Sequence, residues 1–376
     1  MRLASSLFHA SFASRPAAGA SAPGRINLLG EHTDYNGGPS LPFALARRTV
    51  VLAGPGAGWK AVSALEGRVV PFEPDAAPAG NWTDYLGGVV RVLHEMRAAP
   101  PGGRVAVASA LPMGAGLASS AALAVAAARA LSAMAGRRLS REALAEVAFR
   151  AEHDVVGVQC GRMDQEIAVH GVARQALLIE SADDSRTAVP FDLPVLVFDT
   201  GVSHRLADGG YNRRRGECEA SLSACRAAGV AADHLAAVPA ADLPRLERAL
   251  PEVLFRRLRH VVSETARTRA AAMALSVRDY PRLGAFLVEG HRSLREDFES
   301  SCDEADRLVD SAMRHGAWGA RLTGGGWGGA VLVVAPVERH VALSAAVRAD
   351  FRREVGRTPD AWKARASGGV RGETPG

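Results

Sequence analysis

Residues 104–136, RVAVASALPMGAGLASSAALAVAAARALSAMAG, constrain this chain more than any other stretch. The first residues read as a strand that stops at Pro112. A glycine-rich turn follows, and then a long alanine-rich helix that runs until Gly136. That helix does not read as a membrane span, because its apolar run from Ala121 is broken by Arg129 and falls short of the ~20 residues a span needs. In the turn PMGAGLASS several backbone N–H groups converge at the positive end of the helix dipole, a geometry suited to phosphate. Gly114 and Gly116 let the backbone approach an anion closely. Ser119 and Ser120 offer hydroxyls, either to cap the helix or to reach a phosphate-bound metal. An ordinary strand-to-helix turn with a serine N-cap is the plain alternative.

Composition limits which phosphate chemistry is available. The only lysines, Lys60 and Lys363, both follow tryptophan, so there is no Gly-Lys-Ser/Thr and no P-loop nucleotide site. No VAIK-type strand accompanies a glycine loop either, which excludes the protein-kinase pattern. The net charge is +5 and the pI about 9.4, but the basic charge is arginine scattered among acids. Its one dense cluster, Arg213–Arg215, is too short and too poor in aromatics for a nucleic-acid surface, so no nucleic-acid partner is expected. The four cysteines, Cys160, Cys218, Cys225 and Cys302, have no zinc-like spacing and read as free thiols of a reducing cytoplasm. His9, Ser11 and Arg15 interrupt any apolar core of an export signal, so a cytoplasmic chain with no membrane partner is expected. A monomer is the default.

At 376 residues two domains are expected rather than one, placed at 1–183 and 184–376. Short apolar runs from Ala22 to about Val62 read as strands. The spacing of Tyr85, Leu86, Val89, Val90 and Leu93 predicts a helix from near Thr83. SREALAEVAFRAEHDVVG reads as another, with Ser140 as N-cap and Leu144, Val147, Ala148, Ala151 and Val155 as its apolar stripe. A strand at VLVFDTG, long helices to about His315, two strands around the glycine loop of GARLTGGGWGGAVLVVAP, then a helix and a final strand complete the chain. Strands and helices mixed without strict alternation give an α+β fold. The loop APGRINLLGEHTDYNGG, residues 22–38, crowds Arg25, Glu31, His32, Asp34 and Tyr35 onto one polar turn beside a buried strand, a usual place for binding groups. Glu152 lies on the flank of the apolar stripe with its carboxylate leaning toward the core, and Asp164 follows in CGRMDQ. Taken singly, each also has a structural reading, as a salt-bridge partner or a complement to a helix dipole.

Three segments, APGRINLLGEHTDYNGG, LPMGAGLASSAA and RLTGGGWGGAV, resemble in order and spacing the three motifs of the small-molecule kinase superfamily of galactokinase, homoserine kinase, mevalonate kinase and phosphomevalonate kinase. GEHTDYN, CGRMDQ, NWTDYLGGV and GGYNRRRGECE resemble the galactokinases within it, so the likeness covers nearly the whole chain. It implies a two-domain fold with the site in the interdomain cleft, and ATP-dependent phosphorylation of galactose at the C1 hydroxyl. It further implies that Asp164 is the base, with Arg25 beside it. Glu31, His32, Asp34, Gly161 and Tyr211 would hold the sugar. Gly114, Gly116, Leu117, Ser119 and Ser120 would hold the ATP phosphates, with Trp82 and Tyr85 at the adenine; for Trp82 a place in the core stays open. Ser120 and Glu152 would hold Mg²⁺. A kinase for another sugar, such as N-acetylgalactosamine or arabinose, and a non-catalytic galactose sensor remain the alternatives. The chain departs from the pattern at Ala118, where serine is usual, at Gly209–Gly210, where Ser-Glu is usual, and at Trp327, where phenylalanine is usual.

Overall fold

The computed structural model describes residues 1–112, 114–202 and 210–374; Gly209 and Met113 lie outside them. The chain opens with α1 (Arg2–Phe12) and β1 (Ala18–Asn27), followed by β2 (Pro39–Ser40), β3 (Pro42–Gly54), β4 (Trp59–Ser63) and β5 (Val69–Pro71). Next come α2 (Thr83–Glu95), β6 (Gly103–Ser109), α3 (Ser119–Met134), α4 (Arg141–Arg150), α5 (Met163–His170) and the hairpin of β7 (Gln175–Glu180) and β8 (Ser185–Pro190). The second half holds β9 (Val195–Asp199), α6 (Gly210–Ala227), α7 (Leu243–Ala249), α8 (Glu252–Ser276), α9 (Tyr280–Glu296) and α10 (Asp303–Arg314). It closes with β10 (Gly319–Thr323), β11 (Ala330–Val334), α11 (His340–Val355), β12 (Ala361–Ala364) and β13 (Arg371–Glu373).

The first lobe is built on a six-stranded sheet in the order β13-β1-β3-β6-β4-β5. Every residue of β1 is buried, as expected of a central strand covered on both faces. The helix α3, alanine-rich and buried along most of its length, packs against β1 and β3 because small side chains allow close approach. The second lobe holds the sheet β10-β11-β9-β12, wrapped by α6 to α11. Its core of Phe198, Leu258, Phe298, Leu322, Val331 and Phe351 is distinct from that of the first lobe. The first lobe's apolar cluster nevertheless extends to Leu275, Leu287 and Leu332, so the two lobes meet through packed side chains.

Several elements differ from the sequence expectation. The segment read only as lacking an export signal forms α1, which buries Ala4 and Phe8, four positions apart, against Leu52 and Ala106. The helix expected through Val155 is α-helical only to Arg150, and Ala151–Val155 form a π-helical turn. The segment between Leu177 and Phe191 is a hairpin, and 183/184 falls in its turn. Beyond the expected final strand, β13 crosses back to pair with β1. Among the described residues no helix is long and apolar enough to cross a membrane.

Candidate active site

The site grows from an irregularity in β1. The pairing of β1 with β3 shifts register between Pro23 and Arg25, at a residue that has no N–H to give to a ladder. Such bulges re-aim side chains, and here Arg25 turns off the sheet. Its backbone N–H donates to the Leu117 carbonyl at 3.1 Å. Its Nε and Nη2 donate to Asp164 Oδ1 and Oδ2 at 2.8 and 3.0 Å, and Nη1 donates to the Gly116 carbonyl. One arginine thus ties β1, the glycine loop before α3 and the first turn of α5 together. The Arg25 side chain is 6% exposed and that of Asp164 26%. The guanidinium therefore lies behind while the carboxylate opens onto the cleft.

Residues 30–38 face this pair. Asp34 Oδ1 accepts from the Tyr35 N–H at 2.9 Å, and burial, with Asp164 adding repulsion, pushes its carboxyl up to about 6. A Cβ at Gly161 would overlap the Asp34 carboxylate, so the loop before α5 approaches it as only glycine can. His32, held at φ +62°, stacks on Phe298 with ring centroids 4.4 Å apart, and its Nδ1 lies 3.0 Å from the Tyr35 hydroxyl. The Tyr211 ring, at the start of α6, lies 5.6 Å from the rings of both His32 and Tyr35. Glu31 is differently disposed. Its Oε1 accepts from the Gly324 N–H at 3.3 Å and its Oε2 pairs with the buried Arg321, yet burial still raises its carboxyl to about 7.

The phosphate loop corrects one alternative. The N-cap of α3 is Ala118, at φ +58°, with no side-chain cap, so a serine N-cap does not account for Ser119 and Ser120. The first-turn N–H groups, with Gly114 and Gly116 both at positive φ, keep the anion-binding character of an uncapped helix start. Leu117 is buried, and its carbonyl accepts from the Arg25 N–H at 3.1 Å. Gly324, at φ +89°, brings the third glycine loop against the second, since a Cβ there would sit 2.6 Å from the Gly116 oxygen. Glu152 is carried on the π-turn, a rare element that often marks functional sites. Its Oε2 accepts from Gln165 Nε2 at 2.8 Å. Burial and then Asp164 raise its carboxyl to about 7, opposed by Ser120 and Gln165.

Trp82 stands at the N-cap of α2 and packs with Tyr85 against the first lobe's core. Tyr85 adjoins Glu152 and Cys160. A cavity beside α2, bounded by Phe72, Pro74, Asn81, Asp84 and Val155, is lined by neither aromatic. Sequence reasoning missed Arg321, Glu264, His260 and Gln165. The signal for Arg321 was a charged residue inside the wholly buried strand GARLT, and for Gln165 its place directly after Asp164.

A carboxylate–guanidinium pair set between an uncapped helix start and a polar loop, in a two-lobed α+β fold, defines a small-molecule kinase of the GHMP class. Residues 84–172 match the GHMP kinases N terminal domain and 270–353 the GHMP kinases C terminal domain. Residues 6–55 match the galactokinase galactose-binding signature. The chain is 39% identical to the galactokinase of Chloroflexus aggregans, over 96% of this chain and 95% of that one, and 39% identical to that of Streptomyces coelicolor, over 93% and 92%. It belongs to the galactokinase family. The crystal structure of Lactococcus lactis galactokinase complexed with galactose superposes with a TM-score of 0.93 at 26% identity, covering 98% of both chains. Mevalonate kinase of Methanococcus jannaschii superposes at 0.65 and 16% identity over 94% of this chain and 99% of that one, a likeness of fold alone.

Proposed function

We propose that this chain phosphorylates galactose at the C1 hydroxyl, using ATP and giving galactose 1-phosphate and ADP, in the cleft between the two lobes. The observation that carries this reading is the bidentate Arg25–Asp164 pair, half open to the cleft, with Asp34 and Gly161 on one side and the start of α3 on the other. Asp34, His32, Glu31, Gly161 and Tyr211 are the groups assigned to the sugar, whose ring of hydroxyls calls for paired donors and acceptors. Asp164 takes the proton of the C1 hydroxyl as that oxygen bonds to the γ-phosphorus. The bond from phosphorus to the β–γ bridging oxygen breaks, and ADP leaves. Arg25 orients the Asp164 carboxylate through its two hydrogen bonds and offsets negative charge during that step. Gly114, Gly116, Leu117, Ser119 and Ser120 are assigned to the ATP phosphates, and Trp82 and Tyr85 to the adenine end.

Ser120 and Glu152 fit a magnesium ion. Both are hard oxygen donors, and a buried carboxylate raised to about 7 beside a second acid is a group that a cation would relieve. No cluster of three or more His, Cys, Asp or Glu suited to a metal occurs among the described residues. This accords with a metal whose remaining ligands are nucleotide phosphates and water. When bound, it neutralises phosphate charge during transfer. The full-length loop before α3, with Asp164, Arg25 and Glu152 all in place, favours an enzyme over a sugar sensor. A coupled ADP-release assay across galactose, glucose, N-acetylgalactosamine and arabinose tests the reading. Galactose should dominate, and equal turnover of glucose would overturn galactose specificity.

A further inference from the structure

The backbone that carries Glu31, His32 and Asp34 is gripped from the second lobe by two side chains one turn apart on α8. Glu264 Oε1 accepts from the Gly30 N–H at 2.9 Å. His260 Nε2 lies 3.1 Å from the Glu31 carbonyl, and since a carbonyl only accepts, Nε2 carries the proton. The two contacts hold opposite ends of the Gly30–Glu31 unit. Each gripping group is itself fixed. Glu264 Oε1 also accepts from Arg321 Nη1 at 2.7 Å, and its Oε2 accepts from Arg267 Nε at 3.0 Å. The Nδ1 of His260 lies 2.9 Å from the Ser293 hydroxyl, which also reaches Asp297. Both His260 and Glu264 are fully buried. Arg321 closes the circuit by pairing with the Glu31 carboxylate as well.

We propose that His260 and Glu264 are positioning residues that set the backbone of residues 30–34, and through it the affinity for the sugar, without touching the sugar themselves. The inference rests on the sugar assignment of that loop given above. Glu31 and His32 leave the clamp in fixed directions, His32 at a positive φ that non-glycine residues adopt uncommonly. Loss of either grip leaves a buried backbone group without its partner and lets the loop relax. The expected signature is a weakened sugar interaction with an intact nucleotide site.

The test compares His260→Leu, His260→Gln and Glu264→Gln with the wild type, by galactose and ATP titrations, thermal melting and amide hydrogen exchange over residues 28–38. In His260→Leu the galactose KM should rise by about 5- to 150-fold, the range for a buried carbonyl left unpaired. The ATP KM should not move, and exchange at residues 30–34 should quicken. His260→Gln, whose amide N–H reaches the same carbonyl, should recover most of both effects. An unchanged galactose KM with unchanged exchange in folded His260→Leu would overturn the proposal. So would sugar and ATP constants that worsen together, in step with melting temperature and without rescue by glutamine. Should His260→Leu not fold, Glu264→Gln carries the same two readouts, because its neutral amide oxygen accepts from Gly30 more weakly than the carboxylate and its NH2 cannot accept from Arg267. If the wild type does not phosphorylate galactose, the sugar assignment fails, while the exchange measurement still decides whether the clamp exists.

Discussion

Asp164 and Arg25 lie 139 positions apart and meet through two hydrogen bonds, while the carboxylate remains the more open partner. Asp164→Asn keeps an acceptor for Arg25 but removes the group proposed as base. Its kcat should fall by ~10²-fold or more with galactose still bound by calorimetry, and near wild-type turnover would reassign the base. Glu152 gives a prediction that does not depend on turnover. Its carboxyl, raised to about 7, is mostly protonated below that pH, and a bound cation favours the charged form. Binding of preformed Mg-ATP at pH 6.5 should therefore release a fraction of a proton, falling toward none by about pH 8.5. Calorimetry in buffers of different protonation enthalpy measures this, and Glu152→Gln should release none from this position; equal release by the variant would return Glu152 to a structural role. The motif residues were legible in the sequence because each sits beside glycines or other polar groups in a short recognisable run. Arg321, Glu264 and His260 were not. They contact residues 30 and 31 across separations such as 229 and 234 positions, and beyond the single charge that Arg321 places in an apolar strand nothing local distinguishes them from ordinary residues of a strand or helix.

Elements whose boundaries are set by local chemistry matched the expectation. α4 begins after Ser140, whose Oγ accepts from the Ala143 N–H at 3.1 Å, and α3 ends just before Gly136, which takes up φ +69°. The π-turn at Ala151–Val155 was not legible, because apolar spacing continues through it: Ala151 is buried and Val155 half-buried. Its effect is local. One added residue in the turn places Glu152 beside Ser120 and starts the loop that brings Gly161 against Asp34. Gly161→Ala tests that placement, since the new methyl must displace the Asp34 carboxylate. Misplacement of about 1 Å costs ~10²-fold in rate, so kcat/KM for galactose should drop by that order while Mg-ATP binding is retained. If alanine supported wild-type turnover, the close approach of this loop would have no part in sugar recognition.

At the scale of the whole molecule, residues 367–373 belong to the first lobe. Ser367 N–H donates to the Ala44 carbonyl at 2.8 Å and Gly369 N–H to that of Gly171 at 2.7 Å. The side chain of Arg48, from β3, donates to the carbonyls of Gly368 and Gly369 at 2.9 and 2.7 Å. β13 then covers the edge of β1, and Glu373 accepts from the Ser21 hydroxyl. A three-residue strand, RGE, carries no periodicity that a sequence reading could detect; it exists because a strand edge and a partly buried arginine wait for it. Removing residues 368–376 should therefore take two of the four acceptors of Arg48, leaving only those of Ser21, and expose the β1 edge. Arg25 and Asp164, farther along β1 and on α5, keep their own contacts. Loss of several hydrogen bonds at ~1 kcal/mol each corresponds to a fall in melting temperature of about 5 °C or more for a domain of this size. Because apolar packing joins the lobes, the loss should appear as a shift of the main transition in calorimetry, with galactose kcat at 25 °C little changed. A truncated chain that melts at the wild-type temperature would show that the tail lies on the first lobe without holding it.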